Sequence, residues 1–265
     1  MKQLWHYVRL YFMIAGQYIK ARMQYRVDFM ISSVGMVMTS LATILVFRVL
    51  FGSIPNLAGW SFEEILFIYG FYLLSVSPLQ IFFDHVWTLR YEVQDGSFIK
   101  YYFRPLNMMF YYMSEMVDLK GFTKLALGIA VLVYASLQLD VVWSAWRIGL
   151  LVIALGSASL VSIAILIIAA SSAFWITFSF PVMSLALKLR DFAPYPTSIF
   201  DGAFRVVFTF VIPIGFIAFY PSQLFLRPDQ ISPLVYLSPL IGVLFFALAY
   251  WVWVKGVNSY TGTGS

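Results

Sequence analysis

Apolar residues run along this chain in blocks, separated by short polar clusters. A membrane-crossing helix needs roughly 20 mostly apolar residues. Six blocks approach or exceed that length: 29–51, 62–83, 115–138, 146–170, 203–221 and 234–254. A further apolar stretch occupies 172–187. The third block begins among Glu115, Asp118, Lys120 and Lys124, so its first turns must be solvated or enclosed by protein. Those four fall on helical spacing, where local pairing among them is expected.

Residues 3–26 follow a different pattern. His6, Arg9, Gln17, Lys20 and Gln24 recur at three- and four-residue steps, with Leu4, Val8, Phe12, Ala15 and Ile19 offset from them. This is helical periodicity with a basic face, and it predicts a helix lying in the interface with its cations near anionic headgroups.

Two stretches break the pattern. "VIPIGFIAFYPSQLFLRPDQISP" (211–233) holds Pro213, Pro221, Pro228 and Pro233, which cannot share one regular helix. Broken backbone at membrane depth is tolerated only inside protein or beside a water-filled cavity. The stretch reads as short helices dipping back into the outer leaflet, with an ordinary extracellular loop as the alternative. The second is the segment from Asp84 to Pro105, long and mixed in charge. Trp87, Tyr91, Phe98, Tyr101, Tyr102 and Phe103 offer apolar anchors, and Arg90, Glu92, Asp95, Lys100 and Arg104 offer both signs of charge. Such a mixture suits a protein interface as well as aromatic residues settled among headgroups. Gly96 permits a turn between two short helices, and Pro105 suits the first turn of the next.

Composition sharpens the class. The 265 residues are 62% hydrophobic and only 11% charged, with mean hydropathy +0.85. Soluble domains carry nearer 25% charged residues, so the solvent of this chain is a bilayer. The chain has no cysteine, which excludes disulfides, thiol catalysis and Cys-ligated metals. His6 and His85 read as interfacial side chains rather than metal ligands. The net charge of +5 follows from positive residues gathered on one membrane face and needs no nucleic acid. The first apolar run of spanning length begins after residue 28, too late for a cleaved signal.

Orientation follows from the same rule. Residues 1–28 carry Lys2, Arg9, Lys20, Arg22 and Arg26 against Asp28, which places the N-terminus in the cytoplasm. Segment 52–61, with Gly52, Pro55 and Gly59, is then outside, and 84–105 is inside. Residues 148–187 carry no charge and are long enough to cross twice. Crossing once, and then kinking near Ser171–Ser172 and Pro181, keeps all Lys and Arg but Arg48, Arg147 and Arg227 inside. That reading gives six spans with both termini cytoplasmic.

Catalytic signatures are missing: no G-x-x-x-x-G-K-[ST], no H-E-x-x-H and no G-x-S-x-G. The proposed spans are nearly empty of ionisable residues, which weighs against a proton-coupled carrier. A motor on a separate subunit would act through 84–105.

The motifs "GSFIKYYFRPLN" (96–107), "LRDFAPYPTSIF" (189–200), "IPIGFIAFYP" (212–221) and "WVKGVNSYTGTGS" (253–265) resemble, in order, signatures of ABC-2-type transporter permeases, nearest the bacterial branch described as viologen or multidrug exporters. "GWSFEEILFIYGFY" (59–72) fits as well. The resemblance implies one all-α membrane domain, 1–265, of the six-span ABC-2 (type V) exporter type. It further implies an interfacial helix at 3–26, a cytoplasmic coupling helix within 84–105 and re-entrant outer gate helices. Implied partners are two copies of an ABC ATPase, a second permease chain (identical or different) and the bilayer of a bacterial plasma membrane. ATP and Mg2+ would be held by the partner, with no cofactor on this chain. Implied coupling residues are Arg90, Glu92, Asp95, Gly96, Phe98, Lys100, Arg104 and Pro105, and implied gate residues are Pro213, Phe216, Tyr220 and Pro221. Arg190–Asp191 resembles a cytoplasmic element before the fifth span. The path would lie between two permease chains, with Phe47, Tyr69, Tyr72, Phe208 and Phe210 as candidate lining residues for hydrophobic or amphipathic cargo. A gradient-driven carrier, which would show an internal repeat, and a membrane scaffold or enzyme remain the competing classes; import and lipid or peptide export stay open within the first.

Overall fold

The computed structural model describes residues 2–54, 56–228 and 232–262. Pro55, and the side-chain surroundings of Lys2, Leu4, His6, Arg22 and Arg26, lie outside the described residues. Eleven α-helices follow in order among them: α1 (Lys2–Arg22), α2 (Arg26–Ser53), α3 (Phe62–Phe82), α4 (Leu89–Gln94), α5 (Met108–Ser114), α6 (Lys120–Gln138), α7 (Ala145–Ser171), α8 (Phe180–Arg190), α9 (Gly202–Val206), α10 (Phe219–Leu226) and α11 (Pro233–Ser259). Five helical stretches are long and apolar enough to cross a membrane: Val27–Ser53, Phe62–Phe82, Lys120–Gln138, Ala145–Phe174 and Pro233–Ser259.

Their ends have local causes. Ser61 and Glu64 close a capping box at the start of α3, satisfying two backbone donors that a helix leaves free. Ser144 accepts from Arg147 N to start α7. Ser232 accepts from Leu234 N ahead of Pro233, a residue suited to a first turn. The expected third span loses its first turn. Asp118 donates its N–H to Ile81 O at 3.2 Å and accepts from Lys120 N at 3.0 Å, so α6 starts at Lys120. The expected local pairing among Glu115, Asp118, Lys120 and Lys124 is also altered: Asp118 meets Lys120, while Glu115 turns toward Lys100.

Helix α3 is apolar all round and lies at the centre of the bundle, with 78% of its apolar window buried. It packs along α6 through glycines. A Cβ on Gly70 would stand 2.7 Å from Leu132 N, and one on Gly121 would stand 2.8 Å from Ile81 N. Small residues of this kind let membrane helices approach backbone to backbone. Helices α7 and α11 meet similarly where Gly242 passes Ser157 and the Ser157 hydroxyl donates to Ser238 O. Helix α2 stands at the edge, its face from Val27 through Met38 and Leu45 to Val49 exposed.

The two ends of the chain meet the same end of the bundle. Tyr7 packs edge-on against Phe110 at 4.8 Å, and Tyr11 lies 6.2 Å from Phe82 at the end of α3. At the C-terminus, Tyr260 lies 5.4 Å from Phe98 and 6.3 Å from Phe174.

The expected fifth span, 203–221, is not one helix. Helix α9 passes into a π-helical turn, Val207–Val211, and the chain then breaks at Ile212–Pro213. Proline lacks an N–H and forces the preceding residue out of the helical region; Ile212 has φ −123° and ψ 94°. Ten residues of helix span about 15 Å, half a bilayer core. A 3-10 turn, Ile214–Phe216, and α10 follow.

The segment 189–200 departs from expectation too. It does not stay at the end of α3 that carries Asp84. Helix α8 lies back against α7, sharing a groove in which Val182 and Leu185 face Ile165 and Ala169. Tyr195 then meets Phe47 at 5.6 Å, and the Trp60 indole N–H donates to Ser198 Oγ at 2.9 Å. Trp60 precedes α3, so the chain has climbed to the opposite end of that helix.

Candidate functional site

Residues 84–105 fold into three short helices, a 3-10 turn Asp84–Thr88, α4, and a 3-10 helix Ser97–Phe103. Gly96 turns between the last two with φ +80°, a conformation that favours glycine. Asp95 accepts from Ser97 N at 2.9 Å, and hydrogen bonding from Ser97 holds its carboxyl below the usual range.

A 3-10 helix has three residues per turn, so side chains three apart share a face. Phe98 and Tyr101 accordingly point inward and are fully buried. Ser97, Lys100 and Phe103 point outward. Phe98 packs against Tyr101 at 5.1 Å, Phe174 at 5.1 Å and Tyr260 at 5.4 Å. It is therefore a core residue that fastens the segment, and not a surface anchor. The exposed apolar groups are Tyr91 (54%), Ile99 (41%) and Phe103 (78%), beside exposed Asp95, Lys100, Arg104 and Pro105. Arg90 lies over the rings of Tyr91 and Phe180 at 4.2 and 4.4 Å.

Beneath this face sits a charge cluster that the sequence pattern did not reveal. His85, only 9% exposed, is no interfacial side chain. Its Nε2 is 3.3 Å from Glu92 Oε1 and 3.8 Å from Glu115 Oε2. Lys100 Nζ is 3.2 Å from Glu92 and 3.6 Å from Glu115. Tyr101 donates to Glu115 at 2.6 Å, and Tyr112 donates to His85 O at 2.9 Å. Two carboxylates thus face one lysine and one histidine, and the charges balance when His85 is protonated. Burial alone would raise the Glu92 carboxyl; His85 and Lys100 together hold it below its ordinary value. Burial, reinforced by the Glu115 hydrogen bond and charge, pushes the Tyr101 hydroxyl far up, so it stays a donor. The cluster ties the 3-10 turn, α4, the second 3-10 helix and the end of α5 into one unit.

At the other end of the bundle, Arg227 donates to Glu64 through Nε at 2.8 Å and through its terminal nitrogen at 2.9 Å, and to Gly59 O at 2.6 Å. Its guanidinium lies 3.7 Å above the Trp60 ring. The sequence held one signal for this site: Ser61 with Glu64 three residues on. The expected gate residues collect nearby. Pro213 sits at the break, Phe216 and Tyr220 are buried with rings 4.7 Å apart, Thr209 and Tyr220 hydroxyls are 2.7 Å apart, and Pro221 is buried in the first turn of α10.

The candidate path residues divide. Phe47, Tyr69, Tyr72 and Phe208 are buried in one aromatic core, with Phe47–Tyr69 at 5.7 Å and Tyr69–Tyr72 at 6.3 Å. Only Phe210 is open, at 70%.

Among the described residues, a helical architecture with five spanning-length helices, and with α1 and the end of α11 at one end of the bundle, is that of a multi-pass membrane protein. A family model described as "ABC-2 family transporter protein" matches residues 37–264. The chain belongs to that family of membrane transport subunits, and membership implies association with ABC ATPase partners. Neither the curated proteins nor the solved structures supply a match.

Proposed function

We propose that the protein is the permease subunit of an ABC exporter, moving a hydrophobic or amphipathic substrate across a bacterial plasma membrane. Two copies of a separate ATPase hold ATP and Mg2+ and drive alternating access between this chain and a second permease, identical or different. The observation that carries the reading is the segment 84–105, buried and charge-locked on one face and aromatic and charged on the other. A loop resting among headgroups has no need of the inner lock. A lever that transmits rigid-body motion does.

In this reading the end carrying both termini is cytoplasmic. Five crossings are α2, α3, α6, α7 and α11. The sixth is made by α8 with residues 191–200, rather than by 203–221. Pro213, Phe216, Tyr220 and Pro221 then form an outer gate within a hairpin entering from outside, and Arg227 fastens it to α3. Phe47, Tyr69, Tyr72, Phe208 and Phe210 flank the path.

Purification of the tagged chain from its native membrane in mild detergent tests the assignment. Co-purification of a stoichiometric P-loop ATPase supports it, and any second permease shows the dimer type. Recovery of this chain alone, where a control ABC complex stays whole, returns the carrier to first place. Cysteines at Gly59, Ser97 and Ser259 test the orientation: only the first should label from outside.

A further inference from the structure

Tyr72 is the central residue of the 21-residue helix α3, about 15 Å from either end. Arg190 and Asp191 lie within electrostatic reach of its hydroxyl. Tyr195 meets Phe47 and Ser198 meets Trp60, so 190–198 rises from the middle of α3 toward its start. Charged residues therefore stand at mid-membrane depth. Lys188 and Asp191 face outward from this chain around the end of α8, and Asp201 and Arg205 are exposed at α9, nearer the start of α3. Arg205 reaches Ser198 O at 3.3 Å, and Asp201 caps α9.

Hydrocarbon cannot be the neighbour of such a face, because ionisable groups at this depth sit against a water-filled cavity or pair within protein. The pairing is incomplete. Arg190 Nε is buried without a hydrogen-bond partner, an arrangement that leaves a charged donor unsatisfied. Lys124 on α6 adds a further cation within reach of Arg190 and Asp191. Beside the aromatic wall of Phe192 and Phe208, whose rings stack at 5.7 Å, Lys188 and Arg190 thus stand against Asp191 at this depth, while Lys124 also faces Asp84 and Asp118.

We propose that this face is a binding site on the translocation path for the negatively charged head of an amphipathic substrate, its tail lying against the aromatic wall. The inference rests on the permease reading and narrows it, since an uncharged aromatic path would serve any hydrophobic cargo. A phosphate, sulfate or carboxylate head supplies the oxygens that Arg190 lacks, and the guanidinium is suited to them. The shared chemistry is the anionic head; a membrane phospholipid and a diffusible amphiphile are its two sources.

The natural chain has no cysteine, so a single introduced thiol is a clean reporter. Phe192→Cys and Phe210→Cys place thiols beside the charges without removing any, and Val152→Cys (65% exposed) on α7 reports the lipid side. The full chain in zwitterionic vesicles is treated with an anionic and a cationic methanethiosulfonate, each rate divided by that for free thiol. Both reporters should react, with the anionic reagent faster by about 5-fold or more, as a potential of a few kT would give. Arg190→Gln in the Phe192→Cys background should bring the ratio toward unity, and Val152→Cys should stay unmodified. A long-chain alkyl phosphate should slow the labelling, and an alkyl trimethylammonium of equal length should not. Slowing by acidic phospholipid alone assigns the site to a membrane lipid; slowing only by the added phosphate assigns it to a diffusible cargo. Silence at both reporters, equal rates or a cationic preference overturns the proposal. None of these readings needs ATP or a partner, so a failed co-purification strikes the coupling assignment alone.

Discussion

Arg227 and Glu64 are joined at both carboxylate oxygens, 2.8 and 2.9 Å, across 163 residues of sequence. Glu64 also accepts from Ser61 N at 2.9 Å, so the residue that caps α3 is the one that holds the end of α10. Arg227→Ala should lower stability by about 2 kcal/mol, the scale of charged hydrogen bonds that are lost with a partner left behind. Arg227→Lys should recover less than half, because an ammonium cannot reproduce the two-pronged contact or lie flat on Trp60. Thermal unfolding in detergent measures both; full rescue by lysine would mean that charge alone matters.

The two faces of the 3-10 helix Ser97–Phe103 should separate cleanly. Phe98→Ala empties a fully buried site and should cost about 3–5 kcal/mol. Phe103→Ala, at 78% exposure, should leave stability unchanged within about 0.5 kcal/mol and reduce ATPase stimulation in the assembled complex. A Phe103→Ala complex with normal stimulation would remove that residue from the docking face.

Two carboxylates predict opposite pH behaviour. Burial, with repulsion from Asp118, pushes Asp84 up to about 6. Its folded value exceeds the unfolded one near 3.9, so its contribution is fully present below about pH 4 and is lost as pH rises to about 6. Asp84→Asn should therefore stabilise the protein at neutral pH by up to ~2 kcal/mol and give no gain near pH 4. Glu92 is held low, so its contribution is present above the unfolded value of about 4.3 and is lost as pH falls through the folded one. Glu92→Gln should be costly at neutral pH and neutral in acid. Melting curves across this range read both, and curves parallel to the parent's would contradict the assignments.

How far the sequence alone reached depends on where each element draws its stability. Five spanning helices are legible because apolar length is a local property, and Pro213 marks a break because its effect is local as well. Phe98 and Phe103 look equivalent in the sequence; a seven-residue 3-10 helix, longer than such helices usually run, decides which is core. His85, Glu92 and Glu115 are spread over thirty positions and become a cluster only through tertiary packing. The segment 189–200 misled for a different reason: Arg190 and Asp191 read as interfacial charges because nothing near them in sequence shows that Tyr72, Phe47 and Trp60 receive that stretch.

At the α3–α6 seam, Gly70→Ala and Gly121→Ala should each cost about 1–3 kcal/mol, since the added methyl meets backbone that cannot move aside. Gly16→Ala, with open space around it, should be neutral or slightly stabilising. Unfolding curves for the three variants decide the matter.

That seam has a mechanical consequence. Residues 84–105 hang between α3 and α6 like a handle fixed to two stems, and where the stems touch backbone to backbone neither can slide along the other. A push on the handle cannot be dissipated as shear inside this pair. It must leave as a tilt of the pair taken together, against α2 on one side and α7 on the other. The far end of the pair is the end to which Arg227 is fastened, so in the proposed permease a force applied to residues 84–105 at one membrane face would be delivered at the other.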